Sequence, residues 1–219
     1  MNDLEQFNLP TNNFGYSGVP IGAVELSEMT LATLVIDESG SVMSFRQEMV
    51  NAVKEIIKAL RNAPRRDNLM LRTVTFSNNL FEFHGYKPLM ECNEDDYNNI
   101  IRAGQMTALF DATENAMSAH TDYSRQLTEM GYDVNGIVVV ITDGWENHSG
   151  CRVQDVKKSI ENATKSEAMT SLVSILVGVD IQDSQVEAAL KEFKEDSGIQ
   201  QFVAVNDASA KTLSKVANF

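Results

Sequence analysis

The chain has 219 residues, 43% of them hydrophobic, and a net charge of -13 from 31 acidic and 18 basic side chains. The length suits one α/β domain with a sizeable core. The charge argues against nucleic acid and anionic membranes, which call for a basic surface, and fits a surface that attracts cations.

Residues 1–29 are mixed and polar, with turn formers in Thr11-Asn12-Asn13-Phe14-Gly15. They read as an N-terminal arm, followed by one domain over residues 30–219. Leu31–Ile36 is an apolar run of buried-strand type. Phe45, Met49, Val53, Ile56, Ile57 and Leu60 then recur at helical spacing, and Pro64 follows where a helix has to stop. Leu69–Phe76 and Leu80–Tyr86 read as two strands. The short Ser77-Asn78-Asn79 link makes them an antiparallel hairpin, the second strand lying at an edge.

Asp111–His120 reads as a helix, and residues 121–136 as a polar connection. Ile137–Ile141 is a buried strand, and Val153, Val156, Ile160 and Ala163 mark the next helix. Leu172–Val179 is another strand. Ser184-Gln185-Val186-Glu187 fits a capping box opening a helix with Ala189, Leu190 and Phe193 on one face. Phe202–Val205 closes the sheet, and Ala208–Val216 reads as a last helix. Strands alternating with helices give a three-layer, Rossmann-like α/β fold. Its sheet is mostly parallel, with one antiparallel edge strand and helices on both faces.

In such sheets ligands bind beyond the carboxyl ends of the strands. Asp37-Glu38-Ser39-Gly40-Ser41 follows the first central strand, and Asp143 ends the run Ile137–Thr142. Thr107 lies in Gly104-Gln105-Met106-Thr107-Ala108-Leu109. A short Asp/Ser/Gly loop alone reads as a turn or a helix cap. With Thr107 and Asp143 at the same rim, Asp37, Ser39, Ser41, Thr107 and Asp143 read as a divalent-metal site. Carboxylate and hydroxyl oxygens suit Mg²⁺, with Mn²⁺ or Ca²⁺ as alternatives, and offer nothing to soft metals. Only two of the five side chains carry charge, so the metal keeps its attraction for an outside carboxylate.

These segments resemble the von Willebrand factor type A domain and its metal-ion-dependent adhesion site. That pattern is D-x-S-x-S, then a distant Thr, then an Asp opening a D-G step. All three parts stand here in order, and Thr107-Ala108-Leu109-Phe110-Asp111-Ala112 is similar to the family's helix start. The chain departs from the family at Gln105-Met106, where a second glycine is usual. The resemblance implies direct metal ligation by Ser39 and Ser41. It implies ligation by Asp37 and Asp143 directly or through water, and a Thr107 that enters the metal's shell in one of two states. It also implies a non-enzymatic binding module, sometimes part of a multi-protein assembly.

The expected function is therefore metal-dependent protein binding, in which the cation bridges to an Asp or Glu carboxylate of a protein partner. Glu38, as a solvated carboxylate, with Met43, Met106, Trp145 and Asn147 would form the partner-binding rim. Asp111 reads as a helix-start residue, and Trp145 as either a ligand contact or packing under the loop. The alternatives are a metal-dependent hydrolase or phosphatase, and a structural domain stabilised by its metal. Ser39 stands where a phosphatase would need a second Asp, and there is no G-x-S-x-G elbow or phosphate-binding glycine loop. Cys92 and Cys151 cannot form a disulfide framework, and Met1-Asn2-Asp3-Leu4-Glu5 lacks the pattern of a signal peptide. Free thiols and a cytoplasmic location are the expectation.

Overall fold

The computed structural model describes residues 4–9, 14–19, 28–63, 66–102, 104–181 and 183–205. The central strands are β3 (Glu28–Asp37), β4 (Leu69–Phe76), β6 (Asp133–Thr142), β7 (Ser171–Val179) and β8 (Gln201–Val205). Neighbours β4-β3-β6-β7-β8 run parallel. β5 (Leu80–Pro88) is antiparallel to β4, as the short link requires. The α/β three-layer architecture expected from the alternation of strands and helices is the one observed.

Side chains alternate along each strand, and this decides which layer they join. Leu34 and Ile36 of β3, Val139 and Ile141 of β6, and Ile175, Val177 and Val179 of β7 pack with helix α1 (Arg46–Arg61). Val35, Val138, Val140 and Leu176 point to the opposite face. There they meet α2 (Leu109–Glu129), α3 (Val153–Lys165) and α4 (Ser184–Ser197). A sheet buried on both faces forces all its parallel strands to be apolar, which explains the continuous runs in the sequence.

Several elements differ from the sequence reading, β6 among them, which begins at Asp133 within the stretch read as a connection. β5 is not the edge. β1 (Glu5–Phe7) and β2 (Tyr16–Gly18) form an antiparallel pair outside it, and β2 meets β5 at Gly18 and Tyr86. Residues 121–129 continue α2 instead of forming a connection. Tyr123 and Leu127 are buried in a third cluster with Leu9, Tyr16, Val19 and Tyr86, so tertiary packing holds the second half of the helix. Asp183, not Ser184, caps α4, accepting from the Gln185 N–H at 2.8 Å. β3 is longer at both ends than its apolar run. The helix expected over Ala208–Val216 lies outside the described residues.

The N-terminal strands are fastened by aromatic contacts. Tyr86 stacks on Tyr123 with ring centres 4.6 Å apart, and Tyr16 meets both edge-on at 6.2 Å. The Tyr16 hydroxyl donates to Asp122 at 2.6 Å, and Tyr123 donates to the Val19 carbonyl at 2.9 Å. Beside them Arg72, 1% exposed, donates from Nε to Glu82 at 2.7 Å and from Nη2 to Asn115 at 3.0 Å. Ser17 ties the same Glu82 carboxylate to β2.

Candidate metal centre

The site is built from the bottom up by strand register. β3 and β6 pair in parallel up to Ile36 and Ile141, so the next residues, Asp37 and Thr142, emerge side by side. Thr142 Oγ1 donates to Asp37 Oδ2 at 2.6 Å, and the Ser39 N–H donates to Oδ1 at 2.8 Å. Asp37 is thereby held rigidly beneath the loop. Ser39 Oγ lies 3.2 Å from Ser41 Oγ, which donates to Asp143 Oδ1 at 2.9 Å. Four of the five expected ligands thus form one connected set.

Thr107 comes from a separate loop, and the structure shows what holds that loop against the others. The Gly104 N–H donates to the Glu38 carbonyl at 2.9 Å, and the Ala108 N–H to the Ser77 carbonyl at 2.9 Å. A Cβ at position 104 would meet Ser77 Cβ at 2.3 Å and the Glu38 carbonyl at 2.6 Å, so only glycine permits this approach. The Thr107 N–H donates to Asn147 Oδ1 at 2.8 Å, and the Asn147 N–H to the Thr107 carbonyl at 3.1 Å. Thr107 itself is buried, between the Asp37 loop and the Asp143 loop.

Several residues act differently from the sequence reading. Glu38 is not a solvated rim carboxylate. It is 4% exposed, accepts from the Arg102 N–H at 2.8 Å and lies 3.4 Å from the Arg102 guanidinium. Its position as the free "x" of D-x-S-x-S hides this role as a loop clamp. Asn147 reaches the surface, but its side chain holds Thr107. Asp111 accepts from the Gly150 and Cys151 N–H groups at 3.0 and 2.9 Å, tying α2 to the 143–152 loop. Met43, Met106 and Trp145 are exposed, at 40%, 37% and 45%.

Sequence reasoning missed Thr142 and Glu146. The signal for Thr142 was its place beside Asp143 at a strand end in register with Asp37. Glu146 accepts from the Phe110, His148 and Ser149 N–H groups and from the Ser149 hydroxyl. It braces the loop that carries Asp143, and nothing in the local sequence marks it.

Electrostatics supply a test of whether a cation fits. Burial pushes the Asp37 carboxyl up to about 7, against the opposing hydrogen bonds from Thr142 and Ser39. Burial also raises Asp143, partly offset by Ser41. Among the described residues neither carboxylate meets a basic side chain. Two desolvated carboxylates beside two hydroxyls, with no protein cation, suit a hard metal ion. Among the described residues no group of three His, Cys, Asp or Glu gathers as a metal cluster. The donor set here is instead mainly hydroxyl.

A mostly parallel sheet with helices on both faces and hard oxygens gathered on loops at its carboxyl end defines a Rossmann-like α/β domain. The chain belongs to the von Willebrand factor type A domain family, whose model matches residues 33–218. No curated protein matches it. Among solved structures it is similar to the PilB minor pilin from Streptococcus sanguinis, with a TM-score of 0.59 and 11% identity over 90% of this chain and 61% of that one. It is also similar to a von Willebrand factor type A protein from Catenulispora acidiphila (0.60, 13%, 93% and 43%). A third is proximal thread matrix protein 1 from the mussel byssus (0.58, 18%, 90% and 46%). The chain therefore spans about three fifths of the pilin and less than half of the other two.

These likenesses also correct one expectation. A minor pilin and a thread matrix protein are by name proteins of pili and threads, not of the cytoplasm. The cytoplasmic reading is withdrawn. It rested on two cysteines and five N-terminal residues, and unpaired Cys92 and Cys151 are compatible with an oxidising compartment too. No helix among the described residues is long and apolar enough to cross a membrane.

Proposed function

We infer that the chain is a metal-dependent protein-binding module. Asp37, Ser39, Ser41, Thr107 and Asp143 would hold Mg²⁺, or Mn²⁺ or Ca²⁺ in its place. The cation would supply an electrophilic position for an Asp or Glu carboxylate of a protein partner. The observation that carries this reading is the line of oxygens from Ser39 through Ser41 to Asp143, set above the buried Asp37. The fold's use in a pilin and a thread protein supports a binding role over a catalytic one.

The protein's own residues position the donors. Thr142 and the Ser39 N–H fix both Asp37 oxygens, while Asn147, Glu38 and Glu146 clamp the three loops. Exposed Met43, Met106 and Trp145 offer apolar contact around the metal. With a net charge of -13 the chain repels acidic partners at range, so an acidic contact needs a local cation. Isothermal titration with Mg²⁺ and Mn²⁺ tests the site. One binding event is expected, lost in Asp37→Ala, and unchanged binding in that variant would overturn the assignment.

A further inference from the structure

A groove of about 340 Å³ opens beside the site, between α2, α4 and the loop after β6. Its walls begin two residues from Asp143, at Trp145, and two residues from Thr107, at Leu109. Phe110 stacks on Phe193 with ring centres 4.9 Å apart, and Leu190 completes the apolar floor. Glu192 and Asp196, one turn apart on α4, line the same groove. Both are exposed, and neither meets a basic side chain among the described residues. By contrast Glu146, the third carboxylate there, is already held by four donors.

We propose that this groove takes an arginine side chain of the protein partner, placed a few residues from the carboxylate that meets the metal. The inference rests on the metal-bridge reading and names what else the partner must carry. A second acidic side chain would be repelled by Glu192 and Asp196, and a purely apolar one would leave both carboxylates unmatched. Arginine fits both features. Its flat guanidinium and apolar stem lie well on aromatic faces, and its fork of donors suits carboxylates. The chain already makes this arrangement on the other side of the site. The Arg102 guanidinium sits 3.4 Å from the centre of the Phe81 ring, while also reaching the Glu38 carboxylate.

Trp145 is the only tryptophan, so its fluorescence reads the groove directly. The first probe is Nα-acetyl-arginine N-methylamide, which has no carboxylate, beside the neutral citrulline counterpart. A saturable change is expected with the arginine amide. It should be about tenfold weaker with citrulline and in the E192Q/D196N double variant, and unaffected by chelator. The second probe is a series of blocked Asp-(Gly)n-Arg peptides with zero to four glycines. With Mg²⁺ at least one spacing should bind about tenfold tighter than its citrulline analogue. Asp37→Ala should return it to the level of the arginine amide. Circular dichroism checks that the double variant folds, which its surface positions favour. Equal responses to arginine and citrulline would overturn the groove assignment, even if the Asp peptides bind with Mg²⁺. A response to arginine without any gain from Mg²⁺ would instead overturn the metal bridge and leave the groove standing.

Discussion

The two ends of the sheet are built by opposite means. At the carboxyl end, backbone N–H groups donate to side-chain oxygens and the Ser41 hydroxyl donates to Asp143, joining three loops, and hydroxyls and carboxylates are left gathered with no protein cation among the described residues. At the other end, Tyr16, Tyr86 and Tyr123 stack around a buried Arg72–Glu82 pair that is closed by Ser17. The first region concentrates charge that the fold does not neutralise. The second neutralises its buried charge internally and contributes cohesion. A site for a cation needs the former, and the latter contributes stability that does not depend on the site.

The sharpest way to separate the two ends is to break the buried pair. Glu82→Ala leaves Arg72 charged at 1% exposure and should cost about 3–5 kcal/mol in urea unfolding. Mg²⁺ affinity of the folded fraction should be unchanged. A parallel loss of metal affinity would show that the two ends are coupled. Asp37→Asn should act the other way. Mg²⁺ affinity falls at least a hundredfold in calorimetry, about 2.7 kcal/mol, while the metal-free chain loses no stability at neutral pH.

The pH dependence distinguishes the ends as well. In the metal-free protein Asp37 titrates near 7 when folded and near the ordinary carboxylate range when unfolded. Between those values only the folded chain keeps the proton, so ionisation of Asp37 lowers stability as pH rises toward about 7. The stability of Asp37→Asn minus that of wild type should therefore grow from about pH 4 to 7 and then level off. Burial pushes His120 down to about 3 and His84 down to about 4. The unfolded chain takes up those protons first, so their contribution is lost as pH falls below about 6.5. Replacing His120 by Phe should flatten the acid side of the profile and leave the Asp37 difference intact.

Metal removal should leave the fold in place. Apolar clusters pack on both faces of the sheet, so far-UV circular dichroism should survive chelator, and Mg²⁺ at a hundred times its Kd should add only about 2.7 kcal/mol. Loss of the native spectrum on chelation would mean that the metal carries the fold. The smallest effect is expected at Asn147→Ala. It removes one hydrogen bond to the Thr107 loop, costs about 1 kcal/mol and weakens Mg²⁺ binding only a few-fold.

Much of the fold was legible because the parallel strands are buried on both faces and so are written as unbroken apolar runs. Ile137–Ile141 and Leu172–Val179 needed no further context. Asp37, Ser39, Ser41 and Asp143 were legible for a related reason, since each lies at the end of such a run or in the short hydroxyl-rich loop after it, whereas Thr107 was marked only by its place in the family pattern. The second half of α2 was not legible. Thr121, Tyr123 and Ser124 look polar in sequence, yet all three are buried, Tyr123 against Tyr16 and the Val19 carbonyl of the N-terminal strand region.

The sequence by itself determined the layer order, the parallel sheet and the rim on which the oxygens gather, because local periodicity and loop chemistry are properties of neighbouring residues. Tertiary structure alone decided three things. It turned Glu38 from a solvated carboxylate into a buried clamp on Arg102, it made Thr142 and Glu146 supports of the site, and it set a groove edged by Glu192 and Asp196 beside Trp145. Each of these depends on residues far apart in the chain meeting at one place. Register and packing, which no local pattern encodes, fix where they meet.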